Sequence, residues 1–295
     1  MNDLRPTSLT NIIGQERILR CLKISINAAK TENKPLSHIL LSGPPGLGKT
    51  SIALAVANEL NRPIQIANGA TCRSIPSILP YLTRTSFGSV LFIDEIHRLT
   101  SIVEETLYPV LEDFRLILRG DSKETTINLD KFTVIGATTD TGKISKPLYD
   151  RFVIQHTLDE YTDSNLTTLV QQSAKTLGLS VDINCATEIA KRSKGVPRLA
   201  NNYLLWIKDY ALSHGVITTQ LINDAFKLLL VNSQGLTQQD RLYLLVLKNF
   251  NIPTGLSTLS SSLNIDEETI ETQIEPFLLR KRMIAKTSKG RICLK

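Results

Sequence analysis

The stretch ILLSGPPGLGKT, Ile39 to Thr50, decides the fold of this chain. An apolar strand, Ile39 to Ser42, runs into GPPGLGKT, Gly43 to Thr50, which fits GxxxxGK[ST] and leads into a segment rich in Ala and Leu. Glycines at this turn let consecutive backbone N–H groups point inward around phosphate oxygens. Lys49 would neutralise β- and γ-phosphate charge, and the Thr50 hydroxyl can ligate Mg2+. The bland alternative, a Gly/Pro turn before a helix, leaves the agreement of strand, loop and helix unexplained.

Around this motif, runs of four to six apolar residues alternate with amphipathic stretches through about residue 160, the pattern of a parallel sheet covered by helices. Strands are expected at 39–42, 64–67, 90–94, 132–137 and 153–158. From about Asp159 the pattern turns helical, with helices expected at 164–177, 184–193, 198–214 and 218–229. The polar run NSQG, 232–235, interrupts it, and Thr237 followed by Asp240 has capping-box spacing. Helices over 238–250, 257–263 and 267–279 and a hairpin around Ser288 to Gly290 then make a winged helix-turn-helix plan. The expected architecture is an α/β domain with a parallel sheet, 1–158, a helical domain, 159–233, and a winged-helix domain, 234–295.

The 295 residues are 42% apolar and 21% charged, which excludes a disordered or collagen-like chain. No run approaches the roughly 18 apolar residues of a membrane helix. MNDLRPTSLTNIIGQ does not read as a signal peptide, so a cytosolic protein without membrane partners is expected. Cys21, Cys72, Cys185 and Cys293 form no CxxC pair, which argues against zinc and disulfides and for reduced thiols. Net charge is +6, but residues 280–295 carry seven Lys or Arg and no acid, leaving 27 bases against 28 acids elsewhere. The basicity is therefore a local tail, suited to non-specific phosphate contact. Lys289 and Arg291 on the wing are the residues expected to touch DNA.

VLFIDE, Val90 to Glu95, reads as a buried strand ending in two acids, and strand ends are where ligands sit in open α/β sheets. Asp94 is the expected Mg2+ partner and Glu95 is placed to polarise the attacking water, a pairing that specifies hydrolysis of ATP. His97 lies beside these acids but has no partners at metal spacing. GATT, Gly136 to Thr139, ends another strand, where Thr138 could meet the γ-phosphate or the water. Arg151, in PLYDRF, stands where reaching its own phosphates is difficult and suits a neighbour's nucleotide, as an arginine finger does. The alternative is a surface salt-bridge arginine. Arg198 in GVPR opens a helix of the second unit and could close over the γ-phosphate.

These residues bring the chain close to a known family. With LRP at Leu4 to Pro6, IGQ at Ile13 to Gln15, LFIDEIHRL, VEE then LYPVLEDF, FTVIGATT, DRF, GVPRLAN and the terminal KGR, it resembles the RuvB family of Holliday-junction branch-migration motors among the AAA+ ATPases. The resemblance spans nearly the whole chain. It implies an AAA+ P-loop domain, a helical lid and a C-terminal winged-helix domain, working as a hexameric ring that pumps duplex DNA. It further implies ATP or ADP held by Leu4 and Arg5 at the adenosine, by Gly43, Gly46, Gly48, Lys49, Thr50 and Ser51 around the phosphates, and by Tyr161 near the base. Glu112, Asp113 and Phe114 match a nucleotide-facing segment. Thr138 becomes the first sensor, Arg151 the finger and Arg198 the second sensor. The implied partners are a RuvA-type junction-binding protein, docked on a hairpin over 116–129, and a RuvC-type resolvase, in the nucleoid-associated cytoplasm of a bacterium.

The chain also departs from that pattern. Tyr149 and Val153 replace an Arg and a Gly beside the finger, the hairpin is about four residues shorter, and a second wing arginine is missing before the end at Lys295. A nucleotide-switched loader or paralogue without branch migration is the alternative reading. A remodelling ATPase with a merely solvated basic tail is another.

Overall fold

The computed structural model describes residues 4–119 and 124–294. Met1–Tyr161 and Thr162–Lys295 form two compact units. In the first, α1 (Glu16–Thr31), β1 (Ile39–Ser42), α2 (Lys49–Leu60), β2 (Ile64–Asn68), α3 (Ile75–Thr83), β3 (Val90–Asp94) and α4 (Ser101–Asp113) lead to a hairpin of β4 (Arg115–Arg119) and β5 (Glu124–Asn128). Residues 120–123, part of the span 116–129 expected as a hairpin, lie outside the described residues. β6 (Thr133–Thr138), α5 (Lys146–Tyr149) and β7 (Ile154–Thr157) complete the unit.

The five-stranded sheet is parallel in every pairing, with order β2-β3-β6-β1-β7. Its central strands are covered on both faces, which is why β1 and β6 are wholly buried and apolar runs rather than alternation mark them. Leu40, Leu91, Ile93 and Val134 join Ile78, Val103, Leu107 and Phe152 in one core. His38, just before β1, fastens this core: Val134 N–H donates to its Nδ1 at 2.9 Å, and its Nε2 donates to the Leu111 carbonyl at 3.0 Å. Burial holds its pKa below the ordinary 6.5.

The second unit opens with α6 (Asp163–Thr176), α7 (Ile183–Arg192), α8 (Pro197–His214) and α9 (Thr219–Leu228). It continues with α10 (Gln238–Phe250), α11 (Leu256–Leu263), α12 (Glu267–Thr269), α13 (Glu275–Arg280), β8 (Ile284–Thr287) and β9 (Gly290–Cys293). Helix starts follow the sequence signals: Thr162, Asp182 and Thr218 accept backbone N–H groups, and Thr237 with Asp240 completes a capping box. Between α12 and α13 a π-turn spans Ile270–Ile274, next to Pro276, whose missing N–H interrupts the ladder. The expected helix over 267–279 is thus interrupted in its middle.

Lys194, in the loop between α7 and α8, ties that loop to α10 and α13. Its Nζ lies 2.5 Å from the buried Asp240 carboxylate and 5.0 Å from the Phe277 ring, and its carbonyl accepts from Arg280 at 3.1 Å. No helix among the described residues is long and apolar enough to cross a membrane.

Candidate functional site

At the end of β1 the chain turns through Gly43, Gly46 and Gly48, with φ of 131°, 82° and 103°. These left-handed values exclude most side chains, and a Cβ on Gly43 would press within 3.0 Å of the Leu158 carbonyl. Lys49 then opens α2 with its side chain folded under the loop, Nζ donating to the carbonyls of Gly43 at 2.7 Å and Pro44 at 3.0 Å. The ammonium and the N-terminal amides of α2 therefore face the same concavity, a ready-made anion site. Thr50 and Ser51 occupy the first turn of that helix.

The topology brings the other residues to it. β6 lies between β1 and β3, with Ser42 opposite Thr138 and Ile93 opposite Gly136, so the C-terminal ends of all three strands adjoin. At about 4.8 Å per strand, the acids after β3 stand roughly 10 Å across the sheet from the loop after β1. The Asp94 carboxylate accepts the Glu95 N–H at 3.1 Å. Glu95 holds a left-handed backbone, φ 50°, which turns its side chain out of the strand. Gly69 makes room for that turn: its N–H donates to the Asp94 carbonyl at 2.8 Å, and a Cβ there would collide with the carbonyl of Glu95. Sequence reading passed over Gly69, for nothing in its neighbourhood marks a close approach to residue 95.

Thr138 requires a correction. It is fully buried, and its hydroxyl is engaged by the Asp140 N–H at 2.9 Å, the Asp140 carbonyl at 2.9 Å and His97 Nδ1 at 3.0 Å, so it does not itself face the phosphates. The exposed threonine is the next one: Thr139 donates to Glu95 Oε2 at 3.4 Å. His97 Nε2 approaches the same oxygen at 3.3 Å.

Tyr161 lies against the phosphate loop, its hydroxyl donating to the Leu47 carbonyl at 3.4 Å. Burial pushes its pKa up to about 12. Gln15 ties the start of α1 to the end of β7 by donating to the Asp159 carbonyl at 2.5 Å and accepting its N–H at 3.2 Å. Leu4 and the exposed Arg5 precede a segment pinned to α2, where Asn58 donates to the Thr7 carbonyl and Ser8 to Glu59.

Arg151 stands at the other end of the sheet. It precedes Ile154, which pairs with Ile39 at the start of β1, so one strand length, about 13 Å, separates it from the phosphate loop. Its guanidinium lies 3.1 Å from Glu112 and 4.4 Å from the Tyr108 ring centroid, and NH1 donates to the Pro147 carbonyl. Nε has no hydrogen-bond partner among the described residues. Glu112 is thus brought to Arg151 rather than to the chain's own phosphate loop. Asp113 is exposed beside it, and Phe114 packs between His38 and Phe132, with centroids 6.0 Å from each. Arg198 is exposed in the first turn of α8, in the second unit.

On the wing, Lys289 is exposed at the turn between β8 and β9. Arg291 is engaged: its Nε donates to the fully buried Glu275 at 2.8 Å and NH2 to Glu271 at 2.7 Å, while Lys286 lies 2.7 Å from Glu275. The Tyr243 hydroxyl donates to Glu275 at 2.9 Å. The charge argument that singled out Arg291 could not see these glutamates, which come from the helices before the wing.

A phosphate loop after β1, acids after β3, an intervening strand ending in threonines and an arginine displaced to the far end define a P-loop ATPase of the AAA+ class. The Holliday junction DNA helicase RuvB P-loop domain matches residues 4–158, the RuvB AAA lid domain residues 161–232 and the RuvB C-terminal winged helix domain residues 233–294. The Holliday junction branch migration complex subunits RuvB of Rhodopirellula baltica and Chloroflexus aurantiacus are 42% and 43% identical over 98% of this chain, covering 81% and 85% of theirs. The structure of the Thermotoga maritima RuvB Holliday junction branch migration motor superposes with a TM-score of 0.89 at 36% identity, over 99% of this chain and 96% of that one. The chain belongs to the RuvB family of ATP-driven Holliday-junction branch-migration motors.

Proposed function

We propose that this chain turns over ATP between neighbouring copies in a hexameric ring, and so draws duplex DNA from a Holliday junction delivered by a RuvA-type partner. The observation that carries this is the split of the site. Lys49, Asp94, Glu95 and Thr139 gather at the C-terminal end of the sheet, while Arg151, paired with Glu112, sits at the opposite end, about one strand length from its own phosphate loop. A ring supplies what one chain lacks, a partner arginine for each nucleotide.

The loop amides and Lys49 bind the β- and γ-phosphates, with Gly43, Gly46, Gly48 and Ser51 shaping the cradle. Glu95 accepts the proton of the attacking water, and the Thr139 hydroxyl beside it reports on the γ-phosphate in place of Thr138. Arg151 and Arg198 stabilise charge that develops on the departing phosphate, with Arg151, held by Glu112, acting on the neighbour's nucleotide, and with Glu112, Asp113 and Phe114 forming the segment that faces that nucleotide. Leu4, Arg5 and Tyr161 bound the adenosine side. The hard oxygens of Thr50 and Asp94 suit Mg2+, and no group of three or more His, Cys, Asp or Glu among the described residues offers another metal site. Bound there with ATP, the ion would neutralise phosphate charge.

We further propose the division into an ATPase domain, 1–158, a lid, 159–233, and a winged-helix domain, 234–295. Lys289, with Arg291 behind it, makes the sequence-independent phosphate contact a translocating protein needs. The hairpin over 116–129 docks the RuvA-type partner, a RuvC-type resolvase joins the same junction, and the work is done at the bacterial nucleoid in the cytoplasm. The test is ATP-driven branch migration of a synthetic four-way junction with RuvA, beside Arg151→Ala and Glu95→Gln. Migration lost in both variants supports the motor. Hydrolysis without migration by the parent chain would make it a loader.

A further inference from the structure

We propose that His97 is the positioning residue for Glu95, itself oriented by Thr138. The inference rests on Glu95 being the group that takes the proton of water. His97 leaves the end of β3 on the turn Ile96–Arg98, its side chain only 10% exposed. One ring nitrogen meets Thr138 Oγ1 at 3.0 Å and the other meets Glu95 Oε2 at 3.3 Å.

A carboxylate only accepts, so Nε2 is attracted to Glu95 when it carries hydrogen. Nδ1 is then bare and accepts from the Thr138 hydroxyl, whose single proton goes to Nδ1 in place of the Asp140 carbonyl 2.9 Å away, while the Asp140 N–H holds the hydroxyl oxygen on its far side at 2.9 Å. A chain of contacts thus runs from the rigid end of β6 through Thr138 and His97 to Glu95, the arrangement of an orienting group, an imidazole and a reactive side chain. Among the described residues, the hydrogen-bond and ion-pair contacts of the Glu95 carboxylate fall on Oε2, from His97 and Thr139. They fix the rotation of the carboxylate and leave Oε1 to take the proton. The buried Thr138 hydroxyl has no path to the phosphates, and its place in the chain of contacts sets which ring nitrogen of His97 faces Glu95.

A histidine that merely fastens β3 to β6 would make the same contact with Thr138, and kinetics separate the two roles. ATP turnover of the full chain with junction DNA and RuvA is measured for His97→Phe, His97→Gln, Thr138→Val and the His97→Phe/Thr138→Val double variant. Losing a positioning contact of this kind is expected to lower kcat about tenfold. KM for ATP stays unchanged, and Gln, whose amide nitrogen can occupy the place of Nε2, restores most of the rate. The double variant should lose no more than His97→Phe alone. An unchanged kcat in His97→Phe, a Gln variant as slow as Phe, additive losses, or a loss tracking a lowered unfolding midpoint would each overturn the proposal. Glu95→Gln is run alongside. If it binds ATP without turnover the base stands and the His97 result is decisive, whereas turnover in Glu95→Gln removes the base and the proposal with it.

Discussion

Replacing Glu275 with Gln is expected to loosen the wing without touching the ATPase unit. Glu275 and Glu271 set two carboxylates against the cations Arg291 and Lys286, and Glu275 is completely buried. Glutamine keeps the shape but leaves a surplus positive charge in the cluster. Breaking a fully buried ion pair by removing one partner costs roughly 3–5 kcal/mol. Here Glu271 remains 2.7 Å from Arg291, and Lys286 is 43% exposed and can turn to water. Screening of that kind reduces the expected loss to about 2–3 kcal/mol. The Arg291 and Thr254 amides, each bonded to the other residue's carbonyl, report it by hydrogen exchange. At 1.36 kcal/mol per tenfold, their exchange should accelerate about 30- to 160-fold. A pH dependence accompanies this. Burial raises the Glu275 carboxyl, but hydrogen bonds from Arg291, Lys286 and Tyr243 outweigh it and hold the pKa below the ordinary 4.5. Its contribution is therefore present above pH 4.5 and lost as pH falls through the lower folded value. Unchanged protection in Glu275→Gln, or an acid-induced loss of wing protection as large as in the parent, would refute this account of the wing.

His38 supplies a second acid-sensitive element: with its folded pKa below 6.5, its stabilisation holds above pH 6.5 and declines as pH drops through the folded value, a slope in urea midpoints that His38→Gln should flatten. Asp240→Ala removes the carboxylate that closes the capping box on Thr237 and pairs with Lys194, and should cost the second unit about 2–4 kcal/mol in urea unfolding followed by the fluorescence of Trp206, the chain's single tryptophan. Arg151→Ala should leave ATP binding intact yet abolish turnover, and mixing it with Glu95→Gln subunits should restore turnover only at interfaces that pair an intact Arg151 with an intact Glu95.

Local signals sufficed where the physics is local. The strand 39–42, the phosphate loop and the acids after 90–94 are legible because glycine conformations and buried apolar runs are written in consecutive residues. The second unit's helix starts sit within about two residues of their expected places because Thr162, Asp182, Thr218 and Thr237 are capping residues. What escaped depends on distant neighbours. The order β2-β3-β6-β1-β7 follows from packing rather than from any one motif, and it alone puts His97 against Thr138, 41 residues away. It also turns Thr138 inward, reversing the choice between two adjacent threonines. Pro80 and Pro109 inside α3 and α4 blur the very helices that flank the acids. Charge counting found the basic tail but not the glutamates waiting for it at 271 and 275.

The contact of Lys194 with Asp240 makes the passage between lid and winged helix a stiff crank. Lys194 stands four residues before Arg198, and Asp240 lies in the first turn of α10. A rotation of the N-terminus of α8 must either break a buried ion pair or carry α10 along, so the connecting stretch near residue 232 cannot absorb the motion as slack. Torque generated at the lid would thus arrive at the winged helix undamped.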